Sequence, residues 1–138
     1  MWSHGPDLAS WVDNWASHQP DALAVEFEGA TTNYDQLSRR VASTAEWLHV
    51  HGVVKGDRVA WLGPNHPLAI ELLLACSRLG TIFLPLNSRL LTSEHRWILE
   101  DAEPKLLVAH ENFHEHAMEA AGDISVYLLN EVSQAQAT

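Results

Sequence analysis

Apolar and polar positions along this chain recur with two periods, and the period changes mark out the elements. Leu8, Trp11, Val12 and Trp15 stand three and four residues apart, which predicts an amphipathic helix over residues 7–18. Gln19-Pro20-Asp21 ends it. Residues 22–27 and Thr31-Thr32 flank Glu28-Gly29-Ala30, the pattern of a β-hairpin. Asn33 then stands as an N-cap, with Gln36 at the capping-box position. Leu37, Val41, Ala45 and Leu48 form one face of the helix that follows, and Gly52 stops it.

Beyond Gly52 strands and helices alternate. Residues 58–62 read as a strand. Pro67 opens a helix that is apolar on most sides (Leu68, Ile70, Leu72, Leu73, Leu74, Cys76, Leu79) and is expected to be deeply buried. Gly80 is its expected C-terminal stop. Strands are predicted at 81–86, 105–109 and 125–129, with a helix capped by Thr92 and running to about Asp101 and another over 111–121. Strand–helix–strand units at this spacing predict an α/β fold: a largely parallel sheet with flanking helices, plus a small N-terminal hairpin. Continuous apolar strands fit burial on both faces. Trp11, Trp15, Trp61 and Trp97 are expected in core packing, and residues 133–138 as a frayed tail.

Charge narrows the partners. The 138 residues carry a formal net charge of −10, which opposes nucleic-acid binding. The lone cysteine, Cys76, allows no internal disulfide and fits a reducing cytoplasm. On the apolar helix it reads as a small buried hydrophobe. The first residues lack the basic and apolar stretches of a signal peptide. The longest apolar stretch, 68–79, falls short of the roughly 20 residues of a membrane span, so a soluble, cytoplasmic protein is expected.

Four stretches carry a resemblance. Asn33-Tyr34-Asp35-Gln36-Leu37 is similar to the Thr-Tyr-x-Glu-Leu of adenylate-forming enzymes, with both substitutions preserving the side-chain cap. Gly52-Val53-Val54-Lys55-Gly56-Asp57-Arg58-Val59 resembles that family's Gly-Val-x-Lys-Gly-Asp-Arg-Val, and Asn65 follows at the expected distance. Ser77-Arg78-Leu79-Gly80-Thr81-Ile82-Phe83-Leu84-Pro85-Leu86-Asn87 resembles a further stretch, and the run from Glu100 to Val108 closes the match. Pro85-Leu86-Asn87-Ser88-Arg89-Leu90 looks like the version found in acid–CoA ligases. The resemblance covers roughly residues 8–109. It implies that residues 1–138 are the N-terminal, partial subdomain of a larger AMP-binding ligase domain.

Such enzymes join a carboxylic acid to AMP using ATP and Mg²⁺, then transfer the acyl group to CoA. The resemblance places their phosphate loop, Mg²⁺-holding glutamate, ribose-binding aspartate and late lysine further along the chain. Here the only lysines are Lys55 and Lys105, neither behind a Gly-rich loop. Gly63-Pro64-Asn65-His66 lacks the successive glycines and trailing Lys-Ser/Thr of a phosphate cradle. No catalytic residue is therefore assigned. The partners implied are the missing C-terminal subdomains, or a chain supplying them, and a small carboxylic acid. An apolar surface left bare would favour self-association. A stand-alone interaction or regulatory module on the same fold is the alternative.

Arg89 is the one candidate binding residue. It follows the predicted 81–86 strand at its carboxyl end, where ligands gather in parallel sheets. The resemblance implies a contact with the nucleotide phosphate of CoA, which the forked guanidinium suits. The other reading is a surface ion pair with Glu94 or Asp101. His110-Glu111-Asn112-Phe113-His114 matches the H-E-x-x-H of zinc hydrolases, but His110 falls at a strand end, before any helix has formed. The bland reading, a solvated first helical turn, is preferred, and no metal is assigned.

Overall fold

The computed structural model describes residues 8–136. Helix α1 (Leu8–His18) leads into the antiparallel hairpin β1 (Leu23–Phe27) and β2 (Ala30–Asn33). Helix α2 (Tyr34–Val50) starts where the capping box places it. The Asn33 side chain accepts the Gln36 N–H at 2.8 Å, and the Gln36 side chain accepts the Asn33 N–H at 2.9 Å. Then follow β3 (Arg58–Leu62), α3 (Pro67–Leu79), β4 (Ile82–Leu86), α4 (Thr92–Ala102), β5 (Leu106–Ala109), a 3₁₀ turn (Glu111–Phe113), α5 (His114–Ala121), β6 (Ser125–Leu128) and α6 (Leu129–Gln136).

Strands β3 to β6 form one parallel sheet in the order β4-β3-β5-β6. Side chains alternate between its two faces. Val59, Trp61, Leu106 and Val108 pack with α2, α3 and α6 on one side. Ala60, Leu62, Leu107 and Ala109 pack with α4 and α5 on the other. Both faces are thus covered, as the apolar strands require. A third cluster of Val12, Leu37, Val41 and Leu74 joins α1 to α2 and α3. Gly80 caps α3 in the left-handed region, φ 71°, where a side chain would be strained.

Several expectations are corrected. Trp11 is 69% exposed and Trp97 68%, and Trp15 is exposed but stacked on Tyr34. On α1 the covered stripe is Ala9 and Val12, one step round the helix from the tryptophans. Helix α3 buries Leu68, Leu72, Leu74, Ala75 and Cys76 but leaves Ile70 and Leu73 exposed. Helix α4 is capped from Leu91, whose N–H donates to the Glu94 carboxylate at 3.1 Å, and Thr92 is its first residue. Ser133 to Gln136, expected to fray, continue α6. The Gln136 amide is held by Thr44 at 2.7 Å and Glu71 at 2.5 Å. Asp7, Ala137 and Thr138 lie outside the described residues.

Candidate functional site

The strand order decides where a ligand can enter. From β3 the chain crosses to β4 by α3 on one face of the sheet. From β4 it returns past β3 to β5 by α4, then reaches β6 by α5, both on the other face. The helices that follow the adjacent strands β3 and β5 therefore diverge to opposite sides. Parallel sheets bind ligands in the crevice that such a switch point opens at their carboxyl ends.

The loop after β3 enters this crevice as Gly63-Pro64-Asn65-His66, and the chain after β5 as His110-Glu111. His66 caps α3, its Nδ1 accepting the Leu68 N–H at 3.0 Å ahead of Pro67. His110 caps the 3₁₀ turn in the same way, its Nδ1 accepting the Asn112 N–H at 3.1 Å. A nitrogen that accepts from an amide carries no proton, so each neutral ring has its proton on Nε2. The two rings lie 6.2 Å apart, and Phe27 of the hairpin meets His66 edge-on at 5.2 Å. Burial pushes the His66 pKa down, and His110 adds to this, while Glu111 and Glu28 oppose it.

A cleft of about 490 Å³ opens beside this loop. Its walls come from the hairpin (Glu26, Phe27), the β3 loop (Asn65, His66), Ile70 of α3, and Asn87 after β4. This explains the exposed Ile70, which forms an apolar wall. The amides, hydroxyl and imidazole around the cleft supply hydrogen bonds. Among the described residues its lining holds Glu26 and no lysine or arginine. The arrangement suits binding and orientation.

Arg89 lies exposed on the turn after β4, beside the cleft-lining Asn87 and Ser88. Its backbone N–H donates to the Asn87 Oδ1 at 3.0 Å. Among the described residues no ion pair joins it to Glu94 or Asp101. The H-E-x-x-H residues do not share one helical face. His110 precedes the 3₁₀ turn and His114 opens α5. The Glu111 carboxylate accepts the Asn130 N–H at 2.7 Å, at the first turn of α6. Cys76 is buried, and burial pushes its thiol pKa up.

Sequence reasoning passed over His66, the buried Glu71 and the contact between His95 and His116. For His66 a signal existed: a His-Pro step between a strand and a helix, where a parallel sheet gathers ligands.

A family model described as "AMP-binding enzyme" matches residues 12–137. A feruloyl-CoA synthase of an Amycolatopsis species is 46% identical over 101 residues, which cover 73% of this chain and 21% of that protein. An indoleacetate–CoA ligase of Aromatoleum aromaticum is 38% identical over 107 residues, covering 78% of this chain and 21% of that protein. The chain thus spans about a fifth of the length of these curated relatives. A solved Mycobacterium tuberculosis fatty acyl CoA synthetase superposes with a TM-score of 0.88 at 23% identity, over 96% of this chain and 28% of that one. At that identity the likeness is one of fold.

Proposed function

This chain belongs to the AMP-binding enzyme family, and from that premise we propose that it is the N-terminal segment of an AMP-forming acid–CoA ligase. The complete enzyme converts a carboxylic acid and ATP to an acyl-adenylate and pyrophosphate. The CoA thiol then displaces AMP to give acyl-CoA. The observation that carries this reading is the 46% identity to a feruloyl-CoA synthase of which the segment spans about a fifth.

The segment supplies scaffold and one wall of a binding cleft, and it is not competent alone. Adenylate formation develops charge on phosphoryl oxygens, and catalysis there rests on positioning and electrostatic stabilisation. The cleft lining offers no cation for that task, so ATP and Mg²⁺ belong to the later subdomains or to a chain supplying them. CoA is the ligand this segment is best placed to touch. Arg89 stands exposed at the sheet's carboxyl edge with a guanidinium suited to phosphate. Exposed Trp11, Leu91 and Trp97 give apolar surface for the missing subdomains or for self-association. The setting of the enzyme is cytoplasmic. Among the described residues no helix is long and apolar enough to cross a membrane.

The test is acid-dependent ATP–pyrophosphate exchange. Ferulate and indoleacetate lead the panel because relatives are named for them, followed by aliphatic acids. The 138-residue chain should stay at background, and a chain extended through the later subdomains should turn over. In that longer chain Arg89→Ala should raise the KM for CoA and leave exchange unchanged. Exchange by the pure short chain that vanishes with Arg89→Ala would overturn the assignment.

A further inference from the structure

The turn that carries Arg89 is held from behind by a histidine with no assigned role. Asn87 directly follows β4 and accepts twice through its backbone carbonyl: from the Leu90 N–H at 3.2 Å and from the His95 Nε2 at 2.7 Å. His95, on the first turns of α4, is fully buried. Its Nδ1 lies 2.5 Å from the His116 Nε2 on α5, and the His116 Nδ1 lies 3.2 Å from the Thr92 hydroxyl. The Asn87 carbonyl, His95, His116 and Thr92, from a turn and two helices, thus form one hydrogen-bond chain.

The direction of that chain follows from its ends. A carbonyl only accepts, so the His95 Nε2 carries a proton. With both rings neutral, the His95 Nδ1 accepts from the His116 Nε2–H, and the Thr92 hydroxyl donates to the His116 Nδ1. One added proton reverses the inner bonds without leaving any group unpaired. His95 then donates from both nitrogens, and His116 donates from Nδ1 to the Thr92 oxygen. A second proton would set two N–H groups against each other across 2.5 Å, which breaks the contact.

We propose that His95 is a positioning residue for the Asn87–Arg89 turn, and that the strength of its hold is set by one proton shared with His116. The singly protonated pair makes a charge-assisted bond to the Asn87 carbonyl, shorter and stronger than the neutral one. The surroundings are consistent with a pair that stops at one proton. Burial lowers the His116 pKa, with His95 adding to this and Glu119 opposing it. The Arg96 guanidinium on α4 lies 4.0 Å from the Glu119 carboxylate and draws on its charge. The sheet residues packed with α4 and α5 on this side, Ala60, Leu62, Leu86, Leu107 and Ala109, are apolar. The inference concerns the rim of the cleft assigned above and so bears on that reading. Its test uses no turnover, so failure of one is told apart from failure of the other.

The experiment is an NMR titration of the 138-residue chain, following imidazole nitrogens and the Ser88 and Arg89 amides. In the wild-type chain the two rings should take up one proton between them in a single step. Both amides should move with that midpoint. His116→Gln should shift the midpoint of the amides' pH dependence. His95→Gln keeps an N–H donor for the Asn87 carbonyl, so the amides should stay near their wild-type positions but lose the pH dependence. His95→Leu should shift them at every pH. Two separate full protonation steps in the folded chain would overturn the proposal. So would amides that ignore the ring midpoint, or an unchanged profile in His116→Gln. The wild-type titration decides the matter even where a variant fails to fold.

Discussion

Gly63 is the position where the smallest change should disturb the crevice most. A Cβ built there would stand 2.7 Å from Trp61 Cζ2, 3.1 Å from Trp61 Cη2 and 2.9 Å from His110 Cβ. Carbon atoms in contact prefer about 3.5–4.0 Å. Neither neighbour gives way easily. Trp61 is buried in the core, and the backbone of His110 is tied by its N–H to the Leu62 carbonyl at 2.9 Å. Overpacking of this kind costs about 1–3 kcal/mol. The backbone of Gly63 is outside the left-handed region, so alanine is otherwise tolerated there. The reduced freedom of the unfolded chain then returns about 0.4–1 kcal/mol. The net expectation for Gly63→Ala is a destabilisation of about 1–2 kcal/mol. With a urea slope of about 2 kcal/mol per molar, the midpoint should fall by roughly 0.5–1 M. Urea melts followed by tryptophan fluorescence measure it, and the His110 ring resonances should move in the folded variant. An unchanged midpoint together with an unmoved His110 ring would refute the close-contact reasoning.

Three further outcomes are expected. Glu71 is buried, and burial foremost raises its pKa from 4.5, against the opposing Gln136 hydrogen bond and Arg40 charge. The folded state therefore binds this proton more tightly than the unfolded state, so stability falls as pH rises above about 4.5 until the folded-state carboxyl has ionised. Glu71→Gln should remove that slope, and urea melts should show its stability relative to wild type growing as pH rises above 4.5; a constant or reversed difference would defeat this. Asn33→Ala removes the acceptor for the Gln36 N–H and should cost about 1 kcal/mol in the same melts, whereas a loss below a few tenths would show the capping box to be idle. His110, Glu111 and His114 should hold no tight zinc: metal analysis after dialysis against chelator-free buffer should find far less than one zinc per chain, and a full equivalent lost with His114→Ala would reverse that.

Much of this protein was legible in its sequence because the deciding interactions are local. The capping box at Asn33 and Gln36 acts over three residues, and the predicted start of α2 matches it. The strand Arg58–Leu62 and the helix Pro67–Leu79 stand where the alternation of apolar residues, the Pro67 start and the Gly80 stop put them. The family is equally legible, because its motifs lie in order within the first 109 residues and the family match extends over residues 12–137. What periodicity cannot say is which stripe of a helix another element covers. Trp11, Trp15 and Trp97 keep helical spacing and still face outward, because Val12 and Leu99 occupy the covered stripes. Nor does spacing reveal the strand order β4-β3-β5-β6, and the site depends on that order. Only the return of the chain past β3 to β5 brings His66 beside His110 and opens the crevice between diverging helices. The packing of α5 on α4 likewise joins His116 to His95, and the end of α6 brings Gln136 to Glu71. Caps and periods are read within a turn or two of chain; these contacts join residues distant in sequence, and only the packing of the sheet and its helices decides which of them meet.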